Sequence, residues 1–400
     1  MRLIYITVSM PFGPHEAFFV AEAQELLRQG CELMIVQRSP CGDCTSRDAA
    51  GLDKVSQARA LLSPSVLTTA VAVCAKHPLR ALRALGCLFR SRSAITLAKN
   101  LLVFPKALWL ADLARRWGAD HIHAHWVSTT GTMAMVAGEI SGIPWSCTAH
   151  RGDILENNLL EMKLRRASFV RFIAKDGIPM AEGVCGTPLP GNTLVLHLPV
   201  SLPVQAAVRD TMGSPATLMC PGYLIERKGQ RYLIEAVHLL RQMGVTVRVL
   251  FAGDGEMRSE LETLVAEQQL QQQVTFLGHV VHAELLDMLA SGQVDAVVLP
   301  TLHEGIPVAL IEPMAYGIPV ISTNVGGVPE LLEGEAGIMV PSKDPAALAE
   351  AIRRVVGDPA LGRRIGQNGR RRVEDGWAAP RIVAQLLDRL GQPNAVCSQL

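Results

Sequence analysis

Aromatic residues make up only 4% of this sequence, and net charge is nearly absent, with 38 Lys and Arg against 37 Asp and Glu. With so few rings, the cores must be built from Val, Leu, Ile and Ala, the composition of parallel sheets buried on both faces. A net charge of +1 provides no global field to draw in nucleic acid, so no nucleic-acid partner is expected. The nine cysteines are odd in number and irregular in spacing, which argues against a secreted disulfide framework. Cys41 and Cys44 form the one C-x-x-C, and the second ligand pair of a zinc site is missing. The opening apolar run stops at Pro11 without a small-residue cleavage site, so it reads as a buried strand and not as a signal peptide. The uncharged apolar run at 60–75 contains Pro64 and falls short of the ~20 apolar residues that span a bilayer. A soluble, cytoplasmic chain is expected, at most peripheral on the inner face of the cell membrane. The third glycine of a dinucleotide fingerprint is missing from Ala252-Gly253-Asp254-Gly255, and no D-x-D occurs.

Short apolar runs alternate with amphipathic stretches through most of the chain. Strands are expected at 3–8, 32–37, 121–125, 145–149, 169–174 and 193–197, and again at 216–222, 246–252, 274–277, 296–300, 319–323 and 336–340. Helical periods fall at 16–29, 229–243, 256–268, 282–290 and 345–356. Such alternation implies βαβ units and parallel sheets, here in two sets. Pro199, Pro203, Gly213 and Pro215 mark a linker without periodicity. The domains are therefore read as 1–200 and 214–375, both doubly wound. Ligands of such sheets sit beyond the carboxyl ends of the strands.

The densest chemistry follows the strand at 296–300, in Glu304-Gly305-Ile306-Pro307-Val308-Ala309-Leu310-Ile311-Glu312. Pro307 fits the first turn of a helix, and Gly317 closes it. The N–H groups of Gly305, Ile306 and Val308 then form an anion-binding end suited to phosphate. Glu304 stands ahead of that end and Glu312 roughly 8 Å further along the helix, so a carboxylate flanks each side of the phosphate. The turn Gly222–Gly229 after the strand at 216–222 offers Arg227 and Lys228 to a diphosphate. In the first half, His150-Arg151-Gly152-Asp153 ends a strand. The run His121-Ile122-His123-Ala124-His125 has metal-like spacing, yet alternate residues of a strand share one face and no carboxylate or cysteine partner is evident.

These residues resemble glycosyltransferase family 4, the large GT-B family that includes sucrose synthases, glycogen synthases and bacterial cell-surface mannosyl- and glucosyltransferases. Its pattern E-G-[FIL]-P-x4-E-x-M-A-x-G-x-P-V-[IV]-x-[ST]-x-x-G-G is met from Glu304 to Gly327. The resemblance implies two Rossmann-like domains facing a central cleft, with the C-terminal helix 376–392 packing back on the first. It implies a retaining transfer of a hexose-type sugar from a nucleotide-diphosphate sugar to a saccharide acceptor, in exopolysaccharide or lipopolysaccharide assembly, without cofactor or metal. By the same resemblance Glu304 holds donor sugar hydroxyls, Glu312 the ribose, Lys228 the diphosphate and His150 the sugar face. Pro11-Phe12-Gly13-Pro14-His15-Glu16 looks like the loop that meets phosphates and acceptor. Gly13 is thus placed with the donor, and His15, Glu16, Arg151 and Asp153 on the acceptor side. The family's arginine in the Gly222–Gly229 turn is replaced by Tyr223. That departure supports the alternative of a non-catalytic, nucleotide-sugar-binding partner subunit.

The segment 76–117 holds nine Lys and Arg, among them Arg80, Arg83, Arg90, Arg92 and Lys99, against the single acid Asp112. Leu79, Leu82, Leu85, Leu88 and Phe89 recur between them at helical spacing. Such a stretch suits an anionic membrane surface presenting a lipid-linked oligosaccharide, or equally a solvated helix face.

Overall fold

The computed structural model describes residues 1–12, 16–40, 49, 51–203 and 212–392. The chain divides into two compact units, Met1–Pro199 together with the chain from Pro380, and Val200–Ala379.

The first unit runs β1 (Arg2–Thr7), α1 (Val20–Arg28), β2 (Glu32–Gln37), α2 (Pro64–Lys76), α3 (Pro78–Leu88), α4 (Ala94–Trp117), β3 (His121–Ala124), α5 (Thr129–Ser141), β4 (Trp145–Ala149), α6 (Arg151–Glu156), α7 (Leu160–Arg166), β5 (Val170–Phe172), α8 (Gly177–Cys185) and β6 (Thr193–Val195). Its sheet is parallel throughout, in the order β2-β1-β3-β4-β5-β6. The central strands are buried on both faces, although β3 and β4 alternate polar with apolar residues. Ser93 caps α4, accepting from Thr96 N at 3.1 Å, and Gly118 ends it in the left-handed conformation. By length and composition α4 is apolar enough to cross a membrane. However, Val103, Ala107, Leu108, Leu110 and Ala111 are buried in the core with α5, so α4 is the core helix of this unit.

The second unit runs β7 (Ala216–Pro221), α9 (Gln230–Gln242), β8 (Val247–Ala252), α10 (Arg258–Glu267), β9 (Val274–Gly278), α11 (His282–Ala290), β10 (Ala296–Leu299), α12 (Val308–Ala315), β11 (Val320–Thr323), α13 (Val328–Leu332), β12 (Ile338–Val340), α14 (Pro345–Gly357) and α15 (Pro359–Gly376). Strand order is β12-β11-β10-β7-β8-β9, again all parallel. Sequence order therefore reverses between β7 and β10, which opens a crevice at their carboxyl ends. The last helix, α16 (Ala379–Gly391), belongs largely to the first unit, where Ile382, Val383 and Leu386 pack with Leu3, Tyr5 and Leu26.

The structure corrects one helix start. Pro307 is the residue before α12 and has an extended backbone, so the helix begins at Val308. Proline at this position still lacks only an N–H that a helix end leaves without a partner.

Candidate active site

In the second unit the site lies where strand order reverses. After β7 the chain makes a single 3₁₀ turn, Glu226–Lys228, and leaves it through Gly229 at φ 67°. A Cβ on Gly229 would stand 2.2 Å from the Pro300 carbonyl oxygen, so the residue must be glycine for the turn to lie against the end of β10. Two bonds fix that contact: Leu302 N donates to Arg227 O at 2.8 Å, and Thr301 Oγ1 to the same oxygen at 3.1 Å. Lys228 is buried, and its Nζ reaches Glu304 Oε2 at 2.5 Å. Arg227, about half exposed, stands 4.0 Å from Glu304 Oε1. Glu304 thus meets the positive turn from β7 just ahead of α12.

Gly326 and Gly327 lie against this loop from the far side. Gly327 N donates to Gly305 O at 3.2 Å, and a Cβ on Gly326 would fall 1.8 Å from Glu304 O. Ile306 is buried, which anchors the loop between Glu304 and the helix. Leu310 and Ile311 donate to Pro307 O, whereas the N–H groups of Val308 and Ala309 have no acceptor within the helix. Further along α12, Glu312 Oε1 is 2.6 Å from Nε2 of His282, the first residue of α11.

In the first unit, β4 delivers His150 to the N-cap of α6. The His150 ring is buried and stacked on Trp126 at 4.1 Å between centroids. Burial, with smaller contributions from His125 and Arg171, holds its pKa well below the ordinary histidine value, so the ring is neutral. Its Nε2 has no hydrogen-bond partner in the protein. A neutral imidazole with a free ring nitrogen can hydrogen-bond to a hydroxyl.

Two residues expected on the acceptor side have structural work instead. Glu16 is buried and accepts four hydrogen bonds: Val8 N at 3.0 Å, Ser9 N at 2.8 Å, Met10 N at 3.0 Å and Trp126 Nε1 at 2.7 Å. It fastens the loop after β1 to the end of β3. Asp153 is also buried, and its two oxygens accept from His150 N and Val127 N, each at 2.7 Å. Burial raises the Asp153 pKa to about 7 against those bonds and the nearby Lys163. Arg151 is partly exposed and 3.5 Å from Asp176. Gly13 and His15 lie outside the described residues.

The alternating histidines of β3 form a buried polar row. His121 Nε2 and His123 Nδ1 meet Ser146 Oγ at 2.8 and 2.7 Å, and His123 Nε2 meets Thr148 Oγ1 at 2.9 Å. His125 Nδ1 lies 3.0 Å from Tyr5 Oη, which donates to Glu22 at 2.5 Å. Glu22 in turn pairs with fully buried Arg171 at 2.7 Å. Burial drives His121 and His125 down to about 3 and His123 far below its ordinary value. Among the described residues no group of three His, Cys, Asp or Glu is placed to hold a metal ion.

Residues 208–372 match the family model described as glycosyl transferases group 1. This part of the chain, about two fifths of its length, is thus similar to the group 1 glycosyl transferases. The amylovoran biosynthesis glycosyltransferase AmsK of Erwinia amylovora is 33% identical over 193 residues, which cover 46% of this chain and 47% of AmsK. The alpha-D-kanosaminyltransferase of Streptomyces kanamyceticus is 34% identical over 148 residues, or 37% of this chain and 38% of that enzyme. The chain thus spans less than half the length of these relatives. Across 98% of this chain and 100% of the other, the solved structure of Anabaena HepE with UDP and glucose superposes with a TM-score of 0.73 at 16% identity. The fold is GT-B, two Rossmann-like units.

Within the matched residues, Lys228, Arg227, Glu304 and Gly305 come together, with Glu312 further along α12. Sequence reasoning missed His282, which only heads an amphipathic stretch, and Trp126, whose one signal was its place beside the histidine run. Tyr223, standing where the family has arginine, is half exposed, and its carbonyl accepts from Gln230 Nε2 at 2.9 Å.

Proposed function

We propose that the chain is a retaining glycosyltransferase that moves a hexose-type sugar from a nucleotide-diphosphate sugar to a saccharide acceptor in cell-surface polysaccharide assembly. The observation that carries this reading is the meeting of Lys228 and Glu304 at the strand-order reversal, ahead of α12. In this reading Lys228, Arg227 and the first N–H groups of α12 receive the diphosphate, so no metal cofactor is required. Glu304 takes donor sugar hydroxyls, Glu312 the ribose, and His150 a hydroxyl on the sugar face. The bond from the anomeric carbon to the phosphate oxygen breaks as the acceptor oxygen bonds to the same face. The acceptor proton passes to the departing phosphate, so the protein supplies positioning and charge and no side-chain base.

UDP-sugars are the first donors to test, since HepE was solved with UDP and glucose. A thermal-shift screen across nucleotide-sugars should give one donor a clear rise in melting temperature, because a specific ligand stabilises by mass action. Hydrolysis of that donor without acceptor then identifies a transferase. Tight binding with no turnover under any acceptor would favour the non-catalytic partner subunit, the reading that Tyr223 supports.

The acceptor in this proposal is lipid-linked, and the chain works on the cytoplasmic face of an anionic membrane. Leu79, Leu82, Phe89 and Ile95 are exposed beside basic residues of 76–117. The structure narrows that basic set. Lys106 is buried on the carbonyls of Gln37, Arg38 and Arg59, Arg80 bonds Ile140 O, and Arg83, Lys99 and Arg116 pair with acids. Arg115 bonds Ser141 O and meets His77, so among the described residues Lys76, Arg90 and Arg92 remain for the lipid.

A further inference from the structure

Four arginines of the first unit line one open pocket of about 400 Å³. Arg90 and Arg92 enter from the turn between α3 and α4, Arg165 and Arg166 from the end of α7, and Glu161 is the one acid on the wall. Four cations and one carboxylate leave three positive charges in excess. Arg165 Nε bonds Glu161 Oε1 at 3.1 Å, and Arg166 Nη1 reaches Cys87 Sγ at 3.3 Å. Among the described residues, Arg90, Arg92 and Arg166 have no carboxylate partner.

The walls are held by a buried polar lattice and not by the arginines themselves. Asn100 and Asn158 exchange amide hydrogen bonds at 2.8 and 3.1 Å. Asn100 Nδ2 also donates to Ser91 Oγ at 3.0 Å, and Ser91 sits between Arg90 and Arg92. Thr132 Oγ1 donates to Asn100 Oδ1 at 2.9 Å, fixing the lattice to α5. On either side of Asn158, Asn157 and Leu159 line the pocket with φ of 50° and 52°. Leucine seldom adopts this left-handed backbone, and such a conformation persists where the surrounding structure over-determines it.

Guanidinium forks match the paired oxygens of phosphate, and unpaired arginines gathered in a preformed pocket are the arrangement that recognises it. We infer that this pocket binds a phosphomonoester or diphosphate group, as an anion site additional to the one at Lys228. The group can be carried by a lipid headgroup or by a soluble phosphate, and the two sources share the chemistry.

Calorimetry with inorganic pyrophosphate at low salt tests this on the full chain in a Lys228→Gln background, where the donor-site turn contributes least. Arg165→Ser with Arg166→Ser, and separately Arg90→Ser with Arg92→Ser, should each weaken binding about tenfold or more, the scale of lost charge-assisted hydrogen bonds. Arg353→Ser, an exposed arginine of the other unit, should change it by less than about twofold. The corresponding lysine pairs should fall between, since charge remains but the fork is lost. Vesicles of phosphatidylcholine with and without phosphatidate separate the sources. If pyrophosphate displaces the protein from phosphatidate vesicles, the ligand is a lipid phosphate. If arginine-dependent pyrophosphate binding stands without vesicle binding, the ligand is soluble. Either result upholds the site. Pyrophosphate affinity unchanged in both serine pairs, or lysine pairs binding as tightly as the parent, would overturn it.

Discussion

The ammonium group of Lys228 and the carboxylate of Glu304, 76 residues apart in sequence, stand 2.5 Å apart in space, both with only about a tenth of the side chain exposed. The pair forms because β7 and β10 are neighbours while β8 and β9 lie to the other side. It neutralises both groups before any ligand arrives, so a donor phosphate must share Lys228 with Glu304. Glu304→Ala should therefore lower turnover strongly, while Glu312→Ala should chiefly weaken nucleotide binding. Losing hydrogen bonds to a charged group costs about 1.5–3 kcal/mol, or roughly 10- to 150-fold. Steady-state kinetics and nucleotide titration separate the two effects, and parent-like kinetics in Glu304→Ala would refute its assignment.

Gly326→Ala should disturb the same loop without touching a charged group. Its Cβ would fall 1.8 Å from Glu304 O, and its φ of 53° disfavours any side chain. Melting temperature and turnover should both fall. Gly357→Ala, with nothing within 4 Å of its Cβ, is the control and should leave both unchanged. Equal behaviour of the two variants would show that the Gly326 contact is not required.

Glu16→Ala distinguishes a structural clamp from an acceptor contact. Four donors lose one buried acceptor, so urea unfolding should show a loss of about 1.5–3 kcal/mol or more. A residue that only touched the acceptor would alter the acceptor KM and leave the urea midpoint in place.

The buried histidines predict acid sensitivity. Unfolded histidine titrates near 6.5, while His121 and His125 in the folded chain bind protons only near pH 3, and His123 and His150 are likewise held low. Below about pH 6.5 the unfolded chain thus binds more protons than the folded one, and stability falls as pH falls. Each such histidine removes about 1.4 kcal/mol between pH 7.5 and 5.5. Melting curves at those two values should differ clearly, with a smaller difference in His123→Asn. A melting temperature that does not respond to this change would contradict the buried, neutral row.

Sedimentation with anionic vesicles at low salt tests the membrane reading. Arg90→Ser with Arg92→Ser should lose more binding than Arg80→Ser with Arg83→Ser, because the latter two already have partners within the protein. Added salt should weaken the attraction, whose range is about 8 Å at physiological ionic strength. No preference for anionic over neutral vesicles would leave the solvated helix face as the better account.

What the sequence determined by itself was local and repetitive. The twelve strands of the described residues lie where short, largely apolar runs alternate with amphipathic ones, because a doubly covered parallel sheet writes its burial into apolar-rich strand sequences. The loop from Glu304 to Gly327 was legible through its resemblance to the family pattern, although Pro307 stands before α12 and not in its first turn. Tertiary structure alone decided which charged groups meet. Glu16 and Asp153 looked like ligands from their place in loops, yet chain folding buried both on backbone N–H groups. His282 reached Glu312, and Arg90 joined Arg165, across separations that no periodicity encodes. Periodicity records which face of an element is buried, whereas partnership between polar side chains depends on strand order and helix placement, which are properties of the whole unit.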